Sequence, residues 1–410
     1  MRLLRLAPIL VAVLAGCSSA PEAPPASLWA GVAVVEITPD RPVPLGGYGR
    51  RAGKPLQGIH DPLYAKALWL ETPERAVCLV TTDLVGSTLD IRDAIRPEGA
   101  DLILAASHTH SGPGALARGF WQVAMGRFDA DFHAELVAKL RRAVREARSV
   151  LLPARIAFAR GPAPGFNRNR RRPDGPVDPE LQLLLVTDAL SRPLAVVANY
   201  AAHPTLLSDR NFLVSADWPG FFQRALEERV GAPVLFTNGA SGDLAPRAPS
   251  GRDDFEKCAA LGDALAARAA DLLGEIEKTG GEARINYVER GVELPSPTLP
   301  LAPRKSVLGV LELQGVKMFF FPGEPCVELG LELKRRFPGA WIVGLANDHL
   351  GYFLTEEDYK NGGYERTVSF YGPRMGPWLV ERFVELGERV HAQDRPGEPE
   401  GGRGQDDHRR

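Results

Sequence analysis

Cysteine is scarce in this chain, four among 410 residues, and that scarcity excludes a fold stapled by disulfides. Cys78 lies in an apolar strand-like run and Cys258 in a helix-like one, so both read as buried; with Cys326 they form a sparse set. Neither sign of charge is in excess, 49 basic against 51 acidic residues giving a formal net charge of −2. Sustained basic runs with interleaved aromatics are missing too, so nothing attracts a polyanion and nucleic acid is excluded as a partner. There is no internal repeat and no convincing linker between Leu28 and Val390. What is present is an ordinary globular composition, 44% hydrophobic and 24% charged, long enough for one large domain or two modest ones.

The two ends read differently from the middle. Arg2 and Arg5 precede a short apolar stretch, Leu6 to Leu14, which reads as an export signal and is too short for a stable membrane span. Leu14-Ala15-Gly16-Cys17 resembles the lipobox of bacterial lipoproteins. The expected organisation is a lipoprotein signal peptide over residues 1–16, lipidation at Cys17 and a flexible tether over 17–27, rich in Ala, Pro and Ser. Ser18 and Ser19 in place of an aspartate favour the outer membrane over the inner, making the chain an exported, membrane-anchored lipoprotein. A folded domain follows over residues 28–391, and the Gly-, Pro- and charge-rich segment 392–410 is expected to be disordered.

Between those ends, strand-like runs recur at Val32–Ile37, Leu63–Leu70, Val77–Thr82, Leu102–Ala106, Leu181–Val186, Leu194–Asn199, Val234–Thr237, Val307–Leu313, Lys317–Phe321 and Trp341–Leu345. Helical periods occupy Asp131–Ala147, Trp218–Val230, Phe255–Ile276, Cys326–Phe337 and Pro377–His391. Interleaving of this kind predicts an α/β (α+β) fold, a single layered domain with a mixed β-sheet flanked by helices. The segment Pro162–Pro179 reads as a long functional loop inside that domain.

The chemistry concentrates where apolar runs end. Leu102-Ile103-Leu104-Ala105-Ala106 is followed by Ser107-His108-Thr109-His110-Ser111 and then by Gly112-Pro113-Gly114. Continued as a strand, alternation would point His108 and His110 the same way, about 6.5–7 Å apart along the backbone, before the Gly-Pro-Gly turn. His203 follows the run Ala195–Tyr200 in the same manner, and Glu324 follows Met318–Phe321. The polar, aromatic stretch Asn347–Tyr371 is the third such cluster. Singly, His203 could cap a strand end and Glu324 could charge the start of the next helix. Together they form the nitrogen- and oxygen-rich set that a catalytic Zn²⁺ accepts, with a position left for water.

The ordered motifs Asp40–Tyr48 (Asp-Arg-Pro-Val-Pro-Leu-Gly-Gly-Tyr), Thr82-Asp83-Leu84, His108–Gly114, Asn167-Arg168, His203-Pro204-Thr205, Ala216–Gly220, Gly242–Pro246, Pro322-Gly323-Glu324 and Tyr364-Glu365 to Gly372-Pro373 resemble the catalytic domain of neutral/alkaline, non-lysosomal ceramidases. The resemblance runs from about Val32 to His391. It implies the fold of that catalytic domain, one Zn²⁺ per chain held by His108, His203, Glu324 and Tyr352, and His110, Arg168 and Tyr364 facing the substrate, with Gly47 lining the pocket. Tyr352 is chosen because Tyr364 follows it by the family's spacing of twelve residues. The activity implied is hydrolysis of the amide of an N-acyl sphingoid or related N-acyl lipid. His110 becomes a proton carrier or donor to the tetrahedral intermediate and Tyr364 a donor to its oxyanion. Asp83, Asp217 and Asp243 suit the orientation of the far nitrogen of a ligating histidine, and Asp217 equally suits capping of the helix at Trp218.

One position departs from the family. Where those enzymes carry an essential serine before the proline of the Gly-Asp motif, this chain has Ala245, and a methyl group neither attacks nor donates a hydrogen bond. Two alternatives therefore stand beside the zinc hydrolase: a zinc-containing binding lipoprotein without turnover, and a serine esterase using Ser241.

Overall fold

The computed structural model describes residues 27–276 and 284–392. The expected signal peptide, Cys17, the tether up to Ala26 and the tail beyond Ala392 lie outside the described residues. Eight strands form one mixed sheet in the spatial order Val234–Asn238, Pro193–Tyr200, Glu180–Asp188, Leu152–Pro162, Trp29–Glu36, Tyr64–Glu71, Ala76–Thr82 and Asp101–Ala106. The middle strands are antiparallel, and each edge closes with a parallel pair, Val234–Asn238 on Pro193–Tyr200 and Ala76–Thr82 on Asp101–Ala106.

The sequence led us to expect one sheet, and there are two of note. Ile285–Glu293, Lys305–Leu313, Val316–Phe320 and Trp341–Val343 make a four-stranded sheet, and the last three of these strands carry buried apolar residues on both faces. Leu311, Met318, Phe320 and Trp341 pack against Leu68, Ile103, Leu184 and Val197 of the large sheet. Leu308, Val310, Phe319 and Ile342, pointing the other way, pack against the helices Val327–Arg336 and Met375–Ala392. A strand buried on both faces reads as an uninterrupted apolar run, which hides which of two layers it will join. The remaining face of the large sheet is covered by Ala130–Ser149 on one half and by Asp217–Val230 with Asp254–Gly274 on the other. The layers are therefore helix, sheet, sheet, helix. Strands Leu152–Pro162 and Ile285–Glu293 escaped the sequence reading because most of their positions are exposed or partly exposed, several with polar side chains such as Arg155 and Glu289.

Local chemistry explains the helix boundaries. Asp129 caps the helix Ala130–Ser149, its carboxylate accepting from Asp131 N and Phe132 N at 3.0 Å each, which satisfies two otherwise unpaired donors. Its buried stripe Phe132, Leu136, Val137, Leu140, Ala143, Val144 and Ala147 follows the three- and four-residue spacing of one face. That face seats close to the sheet at Gly31, where a β-carbon would lie 2.0 Å from Ala147 O. No helix among the described residues is long and apolar enough to cross a membrane.

Topology then gathers one set of strand ends. Asp101–Ala106, Pro193–Tyr200, Val234–Asn238, Val316–Phe320 and Trp341–Val343 all finish at the same edge of the two packed sheets. Leu345 O accepts from Ala106 N at 3.1 Å, Asn238 O accepts from Gly344 N at 2.9 Å, and Ser107 O and Ala202 O each accept from Asn238 Nδ2 at 3.3 Å. Carboxyl ends of parallel strands are where α/β sheets place ligands.

Candidate metal centre and active site

His108, His203 and Glu324 emerge from three of those strand ends and meet, all buried. His108 Nε2 lies 3.0 Å from His203 Nε2 and 3.1 Å from Glu324 Oε2, and His203 Nε2 lies 3.6 Å from Glu324 Oε2. Tyr352 brings its hydroxyl to 3.4 Å from His203 Nε2, carried by a short parallel pairing of Tyr352–Phe353 with Glu324–Pro325. The histidine pair reaches this point by a route the alternation argument did not foresee. The strand stops at Ala106 and His108 has φ +75, a left-handed conformation that costs a non-glycine residue of order 1 kcal/mol. A turn, not strand alternation, aims the two imidazoles inward. The turn is held by His108 N donating to Leu84 O at 2.9 Å.

The protons around these histidines decide what the cluster can hold. His108 Nδ1 faces Val85 O, and His203 Nδ1 faces Ser241 O at 3.1 Å. A carbonyl only accepts, so each Nδ1 carries the proton and each Nε2 presents a lone pair. Two lone pairs and a carboxylate oxygen within 3.0–3.6 Å repel one another unless a cation sits among them. Ligands about 2.0–2.1 Å from a tetrahedral ion stand about 3.3 Å apart, so the donor set fits a metal ion. His108, His110 and His203 together place one ring nitrogen each within 4.8 Å of one another.

Electrostatics agree. Burial, then the Arg170 charge, pushes His203 well below the ordinary imidazole range, and burial with His108 beside it does the same to His110, so both favour the neutral, ligating or hydrogen-bonding form. Burial opposes the charge of Glu324, and the hydrogen bond from His349 Nε2 favours it.

Other residues named from sequence lie around this cluster or away from it. Gly47 lines the cavity beneath the cluster, with φ +94; a β-carbon there would meet His110 Cγ at 2.5 Å. His110 packs edge-on to Tyr48 at 4.6 Å between ring centroids and also lines the cavity, as does Tyr364. Arg168, expected to face the substrate, is exposed on the strand Asn167–Asn169, whose alternation buries Asn167 and Asn169 instead. The guanidinium that reaches the cluster is Arg170: its Nη2 donates to Tyr352 OH at 3.1 Å and to Gly242 O at 2.7 Å, and its Nε to Glu365 Oε1 at 2.8 Å. Ala245 pairs with Arg168 across the ribbon, so the two side chains share a face.

The three aspartates do not orient the histidines. Asp83 accepts from Tyr64 N and Gln223 Nε2, and Asp217 from Leu207 N and Trp218 N, the latter at the start of the helix Asp217–Val230. Asp243 accepts from Val327 N, at the start of Val327–Arg336, and from Asn169 Nδ2. Backbone carbonyls already take the far histidine protons, which leaves the carboxylates to tie loops and helix starts together. Ser241 contributes its carbonyl to His203 and leads into the strand Leu244–Pro246, not into the helix that a nucleophile elbow requires.

Besides Arg170, two participants were missed. His349 donates from Nε2 to the second carboxylate oxygen of Glu324 at 3.2 Å and stacks on Trp121 at 4.4 Å between centroids. It follows the apolar run Trp341–Leu345 as His203 follows its own run, and that strand-end pattern was the available signal. Glu365, buried, receives both Arg170 and Arg171, a link between distant segments that no local pattern announces.

With the geometry established, similarity to known proteins can be placed beside it. Neutral ceramidase of Pseudomonas aeruginosa is 24% identical over 269 residues, 57% of this chain and 40% of that protein. Neutral ceramidase of Mycobacterium tuberculosis is 24% identical over 294 residues, 60% of this chain and 46% of that protein. The matched region thus spans less than half the length of either relative. The crystal structure of neutral ceramidase from Pseudomonas aeruginosa superposes with a TM-score of 0.82 at 20% identity, covering 90% of this chain and 75% of that one. A structure described as ceramidase complexed with C2 superposes with a TM-score of 0.78 at 19% identity, covering 90% and 76%. Residues 29–261, more than half of the chain, match the family described as neutral/alkaline non-lysosomal ceramidase, N-terminal, and the chain belongs to that family.

Proposed function

We propose that the protein is a zinc-dependent amidohydrolase that cleaves the N-acyl linkage of a ceramide-type lipid or related acylated amine. The observation that carries this reading is the convergence of two histidine lone pairs, the Glu324 carboxylate and the Tyr352 hydroxyl within 3.0–3.6 Å on the wall of a cavity. His108, His203, Glu324 and Tyr352 would hold the zinc. When bound, zinc supplies a Lewis acid for the acyl oxygen and a more acidic water at neutral pH.

The chain's own groups do the rest. Water adds to the acyl carbon, the C–N bond breaks, and the departing amine takes up a proton. His110, buried and neutral beside the cluster, is placed to carry that proton. Tyr364 donates its hydroxyl to the developing oxyanion. Arg170, through its hydrogen bond to Tyr352, fixes the phenol oxygen. Ala245 leaves the family serine out, so the reaction here proceeds without that hydroxyl. The leader and Cys17 support export and lipid anchoring, with the outer membrane favoured.

Metal analysis and turnover test this together. We expect about one zinc per chain, lost in His108→Ala, and release of amine from N-acyl substrates that a chelator stops and zinc restores. Less than about half an ion per chain with no difference in His108→Ala would remove the metal centre from the argument. Full metal and ligand binding without turnover would instead favour the binding lipoprotein, and activity lost in Ser241→Ala but insensitive to chelators would favour the esterase.

A further inference from the structure

The metal cluster occupies one end of the strands, and the pairing register fixes what lies at the other. Trp29 pairs with Glu71, Glu71 with Ala76 and Val77 with Asp101, whereas Thr82 pairs with Ala106 just before His108. Trp29 therefore stands about 20 Å from the level of Ala106, at about 3.3 Å per residue. The same far end holds Pro153, paired with Trp29, and the turn of the hairpin between Asp188 and Pro193.

Apolar side chains are exposed there. Val150, Leu152 and Leu190 are 51%, 46% and 74% exposed, and Trp29 is partly exposed among them. Leu152 and Leu190 each lie two residues beyond the paired Ala154 and Asp188, so they flank one ladder. Basic side chains border this patch. Arg141, Arg145 and Arg148, on the second half of the helix Ala130–Ser149, line one groove with Glu98, and that helix ends where Ala147 O meets Gly31. Arg141 and Arg148 donate to the carbonyls of Ala94 and Glu98. Arg145 and Arg155 are exposed and have no carboxylate partner among the described residues. An apolar patch rimmed by unneutralised guanidinium groups suits a surface that is greasy inside and anionic outside.

The chain also enters the fold at this end, Leu28 being buried directly before Trp29. The stretch from Cys17 to Leu28 reaches at most about 40 Å. A lipid on Cys17 thus keeps this end near its bilayer, and turning the cavity towards the same bilayer would use about half of that reach in passing the sheet. We infer that Trp29, Val150, Leu152 and Leu190, with Arg145 and Arg155 around them, form a docking face for an anionic bilayer, and that the protein sits there with its metal cluster turned away. The cavity then receives amides presented from the side opposite the anchoring membrane. This orientation rests on the anchoring proposed at Cys17, which is judged separately by the mass of that residue.

Two reporters read the orientation. Cys78, Cys258 and Cys326 are buried, so a bimane thiol label on Leu190→Cys or Val123→Cys marks one position, with the unsubstituted protein as blank. Val123, 79% exposed, belongs to the helix Gln122–Met125 that walls the cavity. The full-length exported protein is mixed with vesicles of equal parts phosphatidylcholine and phosphatidylglycerol that contain a nitroxide-headgroup lipid. We expect the Leu190 label to be quenched severalfold more than the Val123 label. Each basic group beside an anionic bilayer strengthens attraction about fivefold, so Arg145→Gln with Arg155→Gln should lower the docked-to-undocked ratio roughly thirtyfold. Stronger quenching at Val123, equal quenching at both, quenching indifferent to the two arginines, or no quenching would overturn the docking face. Mass spectrometry of the Cys17 peptide keeps the anchor apart: a lipidated protein with equal quenching retains the anchor and loses the face, and a protein without lipid that docks by Leu190 retains the face and loses the anchor.

Discussion

Gly47→Ala separates positioning of the reacting groups from possession of the metal. At φ +94 an alanine is strained by of order 1–2 kcal/mol. Its β-carbon would also stand 2.5 Å from His110 Cγ, 2.6 Å from Nδ1 and 2.9 Å from Cβ. An ordinary contact begins near 3.5 Å, so the imidazole must retreat by about 1 Å. The backbone gives little room for that, because Gly46 O and His110 O both accept from the buried Arg51 guanidinium. A misplacement of about 1 Å at a reacting group lowers kcat roughly a hundredfold. His108, His203, Glu324 and Tyr352 are untouched, and zinc content should stay at the wild-type value. The assay pairs metal analysis with turnover of an N-acyl amide and a thermal melt, in which the midpoint should fall by a few degrees. Wild-type kcat in the variant would refute the assignment of His110 to the reacting carbonyl. Loss of zinc with loss of activity would show that His110 belongs to the metal's own ligands.

Two further outcomes follow from the same contacts. His349→Ala removes the donor to one oxygen of Glu324 and should weaken zinc binding about ten- to a hundredfold by competition with a chelator; unchanged affinity would mean that this hydrogen bond does not position the carboxylate. Asp217 has its carboxyl pushed up to about 6 by burial. The folded state therefore binds this proton more tightly than the unfolded chain, and the stability so gained is lost as pH rises from about 4 through 6. Urea midpoints should show the advantage of wild type over Asp217→Asn shrinking by about 2 kcal/mol between pH 4.5 and 6.5, and an advantage that grows with pH would contradict the buried, hydrogen-bonded placement.

Much of the fold is legible in residue order because burial imposes a period. Phe132, Leu136, Leu140 and Ala147 mark a helix face without any structure. Strands buried on both faces were visible as runs, yet Met318-Phe319-Phe320-Phe321 carries no mark of the sheet it joins, since both faces are apolar. The site shows the same division. His108, His203 and Glu324 each stand at the end of an apolar run, which marks them in the sequence, and the packing of the sheets buries all three. Arg168 and Arg170 are indistinguishable in a run of arginines, and only the bend after Asn169 turns the second towards Tyr352. Asp83, Asp217 and Asp243 looked like partners of histidines because carboxylates often are; the carbonyls of Val85 and Ser241 occupy that place, and backbone carbonyls leave no trace in a sequence.

By itself, then, the order of residues determined the layered α/β class and the strand-end positions of the polar clusters, because these depend on periodicity and side-chain chemistry. Tertiary structure alone decided which nitrogen of each histidine faces inward, that His349 and Arg170 steady Glu324 and Tyr352, and that Tyr364 stands between a small cavity against the cluster and a larger cleft beside it. Those depend on distances between segments far apart in the chain: His108 and Glu324, 216 residues apart, come to 3.1 Å only through the packing of the two sheets.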